Sequence, residues 1–335
     1  EGLSGEWPGD WEGRTLLGLV LLAQATGRTP VFLEDILNIL PSYFNDKGYM
    51  GKVIDAPLID EQQLSGNSWM LRALCELYLW RGEAWVREMI EGMVKGLFMP
   101  ASSGYPTYPI KPEQRQFDGQ AMGTIVDQVQ DSWITSSDIG CAFIALDGVT
   151  QAYGILRWPE LKTAIDVMIA RYLEVDFLAI SAQTHATLSG LRGVMRMAEL
   201  TQNEEYLAQA IRIYKLYMDY GVTDNYENYN WFGRPHWTEP CAVVDSYILA
   251  VWLWQATKEP EYLADAHRIY YSGLGYDQRP NGGFGCDSCV GGDNKVLSPS
   301  EGIYEAYWCC SMRGGEGMSR AAQFTVFQDD NTIWV

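Results

Sequence analysis

Histidine is scarce in this chain, with His185, His236 and His267 the only three among 335 residues. That scarcity argues against a metal centre that leans on imidazole, such as a zinc-thiolate synthase on a helical barrel. Positive charge is also short: 24 Lys and Arg face 43 Asp and Glu, for a net charge of -19 and a pI of about 4.5. A surface so acidic repels phosphate backbones and anionic lipid heads, so neither nucleic acid nor membrane is expected as a partner. Neutral substrates such as sugars suit it better, and the acidity also serves solubility. No apolar run reaches the roughly 18 residues of a spanning helix. No Pro/Ser-rich or charge-block linker divides the chain, which argues for one domain. No secretory leader is present, but the first residue is Glu1 and not Met. A trimmed start is expected, so periplasmic, secreted and cytoplasmic locations all stay open.

What is present is a large core in prospect, since 47% of residues are hydrophobic and 13% aromatic. Cysteine is odd in number, at seven, and four crowd into Cys286 to Cys310. That clustering points to metal binding or redox chemistry before a disulfide framework.

One phrase recurs: an apolar helix end, a polar break, then an aromatic-Leu pair. It runs from Leu22 to Thr26 and then Phe32-Leu33, from Ala198 to Thr201 and then Tyr206-Leu207, and from Trp254 to Thr257 and then Tyr262-Leu263. Weaker copies sit near Trp80 to Glu83 and Leu156 to Leu161. Helical spacing follows the breaks, as in Tyr206, Ala210, Ile213 and Tyr217. Two antiparallel helices per unit, stacked in a ring of about six hairpins, explain the pattern. The expected fold is therefore all-α, a barrel of helical hairpins over 1–322. Residues 323–335 turn strand-like and suggest the start of a truncated β-sandwich domain. The loops from Ser103 to Gln116, Asn225 to Trp237 and Tyr276 to Lys295 are long for mere connections and are expected to carry function.

Three segments could do chemistry. Thr238-Glu239-Pro240-Cys241 precedes an apolar run, with Thr238 read as the N-cap; Glu239 and Cys241 then sit at the positive end of a helix dipole. A capping Glu beside a buried small Cys explains the same letters. Cys309-Cys310, before Gly314-Gly315, admits paired metal ligands, a vicinal disulfide or chance, of which metal ligation is favoured. Cys286-Asp287-Ser288-Cys289 could join Cys309 and Cys310 in a structural zinc site of four thiolates. Cys75 and Cys141 fall in apolar helical stretches and read as core.

Glu239-Pro240-Cys241 and Cys309-Cys310, with His185-Ala186-Thr187 upstream and His267 to Ser272 following, resemble the cysteine-dependent β-L-arabinofuranosidase family of glycoside hydrolases. The likeness covers the last half of the chain and marks a divergent branch. It implies an (α/α)6 barrel with a zinc ion held by Glu239, Cys241, Cys309 and Cys310, and Cys309 as nucleophile. The chain departs from the family where Ser311-Met312-Arg313 follows the cysteine pair and where the proton donor is expected. That role falls to Glu227 or Asp224, with Glu227 favoured because Tyr226, Tyr229 and Trp231 would raise its pKa. His185, His236 and Trp237 are assigned to substrate contacts, and His267 to a supporting or substrate role. The implied activity is that of a retaining glycosidase on a plant-type glycan or arabinoside. Its rivals are a carboxylate-dependent lyase or unsaturated-uronide hydrolase on the same barrel, and a non-catalytic carbohydrate-binding scaffold around the four-cysteine zinc.

Overall fold

The computed structural model describes residues 7–115, 125–289, 298–299, 309–328 and 332–334. Thirteen helical segments run in order: α1 Asp10–Thr26, α2 Leu33–Ile39, α3 Glu61–Arg81, α4 Ala84–Met93, α5 Met99–Ser102, α6 Ala145–Leu156, α7 Pro159–Leu173, α8 Thr184–Thr201, α9 Glu204–Tyr220, α10 Pro240–Thr257, α11 Pro260–Arg268, α12 Gly275–Asp277 and α13 Cys309–Gln323.

Six of these close a ring. The order of contact is α1, α3, α6, α8, α10, α13 and back to α1. Five of the six are followed by an outer partner that packs on them: α2, α4, α7, α9 and α11. The sequence explains the two layers. In α10 every residue from Pro240 to Val251 is buried, as expected for a helix enclosed on most sides. In α9 only Ala210, Ile213, Tyr214 and Tyr217 are buried, a single stripe at helical spacing.

The recurring phrase marks the inner-to-outer turn. Each of those five inner helices ends on a left-handed residue: Gly27, Gly82, Arg157, Gln202 or Lys258, at φ of 67°, 68°, 56°, 52° and 62°. A left-handed cap satisfies the last carbonyls and redirects the chain at once into the next helix. The fold is thus the expected (α/α)6 barrel, with small sheets added. β1 (Ile59–Asp60), β2 (Ile125–Gln130) and β3 (Trp133–Ser136) form a sheet in the order β1-β3-β2, parallel between β1 and β3. β4 (Asp287–Ser288) pairs with β5 (Ser298–Pro299), and β6 (Phe327–Gln328) with β7 (Ile333–Trp334). Phe327 and Trp334 of the last pair both pack edge-on against Trp254 near the end of α10. No described helix is long and apolar enough to cross a membrane.

The barrel interior is not simply apolar. Arg72, Arg192 and Arg313 meet Asp147, Asp245 and Glu316, all six fully buried, three charges of each sign. Arg72 reaches Asp147 at 3.0 Å and Glu316 at 2.6 Å, and Arg192 reaches Asp245 at 2.7 Å and Glu316 at 3.2 Å. Arg313 pairs with both Asp245 and Glu316. Every member lies on an inner helix, so the network ties five of the six together.

Candidate active site at the inner-helix N-termini

One end of the barrel gathers the beginnings of the inner helices. A cavity of about 140 Å³ there is lined by Trp7, Asp10, Trp11 and Arg14 at the start of α1, by Asp138 and Ile144 ahead of α6, and by Gln183 and His185 around the start of α8. Glu239 at the start of α10 and Cys309 at the start of α13 complete it. Helix N-termini carry partial positive charge, so this end favours carboxylates and thiolates. A larger cavity, about 630 Å³, lies near the other ends of α8 and α10, lined by Arg196, Glu199 and Trp252 among others, and contains no cysteine or histidine.

The cysteines meet at this end. The Sγ atoms of Cys241, Cys309 and Cys310 lie within 4.8 Å of one another. Cys241 to Cys309 and Cys309 to Cys310 are each 3.9 Å, and Cys286 to Cys310 is 3.6 Å. All seven cysteines are free thiols. Two thiolates on a tetrahedral zinc, each bonded at about 2.3 Å, sit roughly 3.8 Å apart, so the donor set fits zinc. Glu239 belongs to the same centre, because its carboxylate lies within 4.8 Å of Cys241 and His185. Gln183 donates to it at 3.4 Å, and Asn230, with its amide nitrogen facing the carboxylate, donates at 2.5 Å.

Without a cation the surroundings favour the protonated forms of these groups. Burial and then the neighbouring Cys309 push the Cys241 thiol up. Cys241 and Cys286 push Cys310 well up. Cys241 draws Cys309 down, but Cys310 and burial carry it well above the usual thiol value. Burial raises Glu239 well above the ordinary carboxylate range, with Cys241 next in effect. Arg14 is the cation at hand: it donates to Cys241 at 3.3 Å while held by both oxygens of Asp10 at 2.8 and 2.9 Å.

His185 stands between the cavity and the ionic interior. Its Nδ1 lies 3.0 Å from Asp245, and its ring stacks on Trp69 at 5.6 Å and 16°. The acceptor at Nδ1 fixes the proton there, which leaves Nε2, buried and without a partner, on the cavity side.

Other expected residues fall elsewhere. Glu227 does not line the cavity. It is fully buried beside Asp277 and Asp287. Asp224 is exposed, as is His236. Trp237 is half-buried and packs against the thiol cluster and edge-on to Trp231. His267 is exposed on the outer helix α11, with its ring against Tyr271, because an outer helix presents only one stripe inward and position 267 is off it. The four-thiolate set with Cys289 does not assemble, since the Cys289 sulfur turns to the Asn228 carbonyl at 3.9 Å. Cys286 is brought in instead. Backbone pairing of Thr238 with Asp287 and of Cys289 with His236 zips its segment alongside the approach to α10. Thr238 is therefore not the N-cap: Glu239 holds that position, and the Thr238 hydroxyl accepts from the Asp287 amide at 2.9 Å. Arg14, Asp10, Trp69 and Asp138 were missed because they come from the first half of the chain, where no motif drew attention to them. Lys295 and its neighbours from 290, and Gln116, lie outside the described residues.

No protein-family model and no curated protein matches the chain. Among solved structures it is similar to a cellobiose 2-epimerase from Bacillus thermoamylovorans B4167, with TM-score 0.66 and 14% identity over 94% of this chain and 87% of that one. It is also similar to a GH127 β-L-arabinofuranosidase from Geobacillus stearothermophilus T6, with TM-score 0.65 and 11% identity over 96% of this chain and 56% of that one. An unsaturated glucuronyl hydrolase specific for heparin gives TM-score 0.61 and 12% identity over 94% and 87%. The chain spans about half the length of the arabinofuranosidases, 56% of one and 53% of another. At such identities the likeness is one of fold, and the chain has the (α/α)6 barrel common to these sugar epimerases and glycoside hydrolases.

Proposed function

We propose that this chain is a sugar-active enzyme, a retaining glycoside hydrolase of the β-L-arabinofuranosidase type, with Cys309 as nucleophile. The observation that carries the reading is a pair of ligand groups, Cys241 with Cys309 and Cys310 and Cys241 with Glu239 and His185, joined at Cys241 beside a small cavity that Glu239 and Cys309 line. Of the four clustered sulfurs only that of Cys309 belongs to a residue that is not fully buried, and it alone lines the cavity. Glu239, Cys241, Cys309 and Cys310 would hold the zinc, with Cys286 adjacent to Cys310. Bound there, zinc would keep these thiols deprotonated at neutral pH.

Cys309 Sγ attacks the anomeric carbon as the glycosidic carbon–oxygen bond breaks, and a cavity acid protonates the leaving oxygen. The same group, now a base, takes a proton from water, which attacks the anomeric carbon and releases Cys309. Retaining geometry asks for about 5 Å between nucleophile and acid. Glu227 lies with Asp277 and Asp287 and does not line the cavity, and we assign the proton to Asp138, a buried carboxyl group that lines the same cavity as Cys309. His185 Nε2 and Trp7 or Trp11 contact the sugar.

The test is mass spectrometry after incubation with an arabinofuranoside mechanism-based inhibitor. A label on Cys309, its loss in Cys309→Ala, and a fall in kcat of roughly 10³-fold or more in that variant are expected. Asp138→Asn should lose about 10²–10⁴-fold on poor leaving groups and far less on aryl glycosides. Undiminished turnover in Cys309→Ala would move the protein to the carboxylate-dependent rivals. An isomerised sugar in place of a released one would move it to the epimerases.

A further inference from the structure

We propose that Glu227, Asp277 and Asp287 form a second metal site, separate from the thiol centre, that binds one hard divalent cation of the calcium type. Three segments converge there: the loop leading to α10, the end of α12, and β4. All three side chains are 0% exposed, and an oxygen from each lies within 4.8 Å of the others. Burying three carboxylates together is costly unless they take up protons or a cation joins them.

The hydrogen bonds leave the inner face of the cluster bare. Asn225 donates to Glu227 Oε2 at 2.5 Å, and Arg279 donates to Asp287 Oδ1 at 2.9 Å. Their second oxygens, Glu227 Oε1 and Asp287 Oδ2, have no partner, and Asp277 has none at either oxygen. Four carboxylate oxygens thus point inward with no donor. Without a cation, burial and then Glu227 push Asp277 well up, and they push Asp287 up to about 7; a divalent ion would take the place of the protons so held, with Arg279 beside it. Oxygen donors without sulfur or imidazole select hard cations, and calcium tolerates bidentate carboxylates and irregular geometry better than magnesium does. The thiol centre prefers a softer metal, so the two sites sort their ions by ligand chemistry.

The approach of the Glu227 loop is built into the backbone. A Cβ on Gly273 would stand 2.3 Å from the Tyr226 carbonyl oxygen, so glycine there lets the loop lie directly on the helical segment Ile269–Leu274 that leads into α12. The site would therefore pin together the segments that deliver Cys286 and Glu239 to the thiol centre.

The experiment uses the full chain, stripped of metal by chelation and given back one equivalent of zinc. Calcium chloride is then titrated in by calorimetry, with magnesium and manganese in parallel, and both metals are counted by elemental analysis. One equivalent of calcium bound with zinc content unchanged, and a Tm rise of about 3 °C or more near saturation, is the expected result. Asp277→Asn should weaken calcium binding at least tenfold and leave zinc content as in the parent. Failure of the parent protein to take up any of the three ions would overturn the site, as would parental calcium affinity in Asp277→Asn. Zinc counted in the same samples tests the thiol centre separately.

Discussion

Asp245 links the interior of the barrel to its mouth. It accepts from Arg192 at 2.7 Å, from Ser189 at 2.8 Å and from Arg313, and it fixes the His185 ring. Burial alone would raise its pKa, but Arg313 and Arg192 hold it well below the ordinary carboxylate range. A carboxylate depressed in the folded state contributes stability that is complete above its unfolded value, about 3.9, and is lost as pH falls below it toward the folded value. Asp245→Asn would leave Arg192 and Arg313 under-compensated in a dry interior, at a cost of about 3–5 kcal/mol. Urea denaturation between pH 7 and pH 3 checks both points: the variant should unfold earlier at pH 7 and show a shallower acid slope. Equal midpoints at pH 7 would mean that water reaches the network. The sequence did not disclose this network, because Asp245 finds its arginines 53 and 68 residues away. A single charge inside the run Ala242 to Trp254 carries no sign of its partner.

At the scale of elements, what was legible and what was not have one cause. The inner-to-outer turns were readable because cap, break and aromatic restart are local signals written within about a dozen residues. The capture of Cys286 by Cys310 was not, because it depends on how the 275–289 segment lies across α13, a contact 24 residues apart. The gathering of Asp277 and Asp287 beside Glu227 was hidden for the same reason, since it depends on how the 275–289 segment pairs with the approach to α10. Two neighbouring glycines of α13 test the contact. A Cβ on Gly314 would meet the Phe284 ring at 1.9 Å, whereas one on Gly315 meets nothing within 4 Å. Gly314→Ala should therefore cost about 1–3 kcal/mol by overpacking, and it should slow oxidative cross-linking of Cys286 to Cys310 as Phe284 is displaced. Gly315→Ala should stabilise by roughly 0.5–1 kcal/mol through helix propensity alone. Thermal melts of the pair, read beside a thiol-trapping assay, decide the matter. Equal effects would mean that Phe284 does not seat on α13.

For the whole molecule, closure of the ring falls to α13, which packs between α1 and α10. Among the described residues it has no outer helix behind it, so its side-chain ties matter more than those of its neighbours. They divide along its length. Near its start Cys309 and Cys310 meet Cys241, while farther on Glu316 reaches Arg72 at 2.6 Å and Arg320 reaches Glu76 at 2.5 Å. Removal of the proposed zinc would act only on the first group: the thiols, raised as described above, would take up protons and no longer bind the starts of α10 and α13 to one another. The ionic ties of the second group are untouched. Chelation should then lower Tm by several degrees and release amide protection first at 309–313 and 241–243, while 316–323 exchanges as before. Hydrogen exchange followed by mass spectrometry, with and without chelator, reads this directly. Protection lost evenly along α13 would place closure in the helix as a unit, and protection lost nowhere would mean that the sulfurs hold no metal and the ionic interior closes the barrel alone.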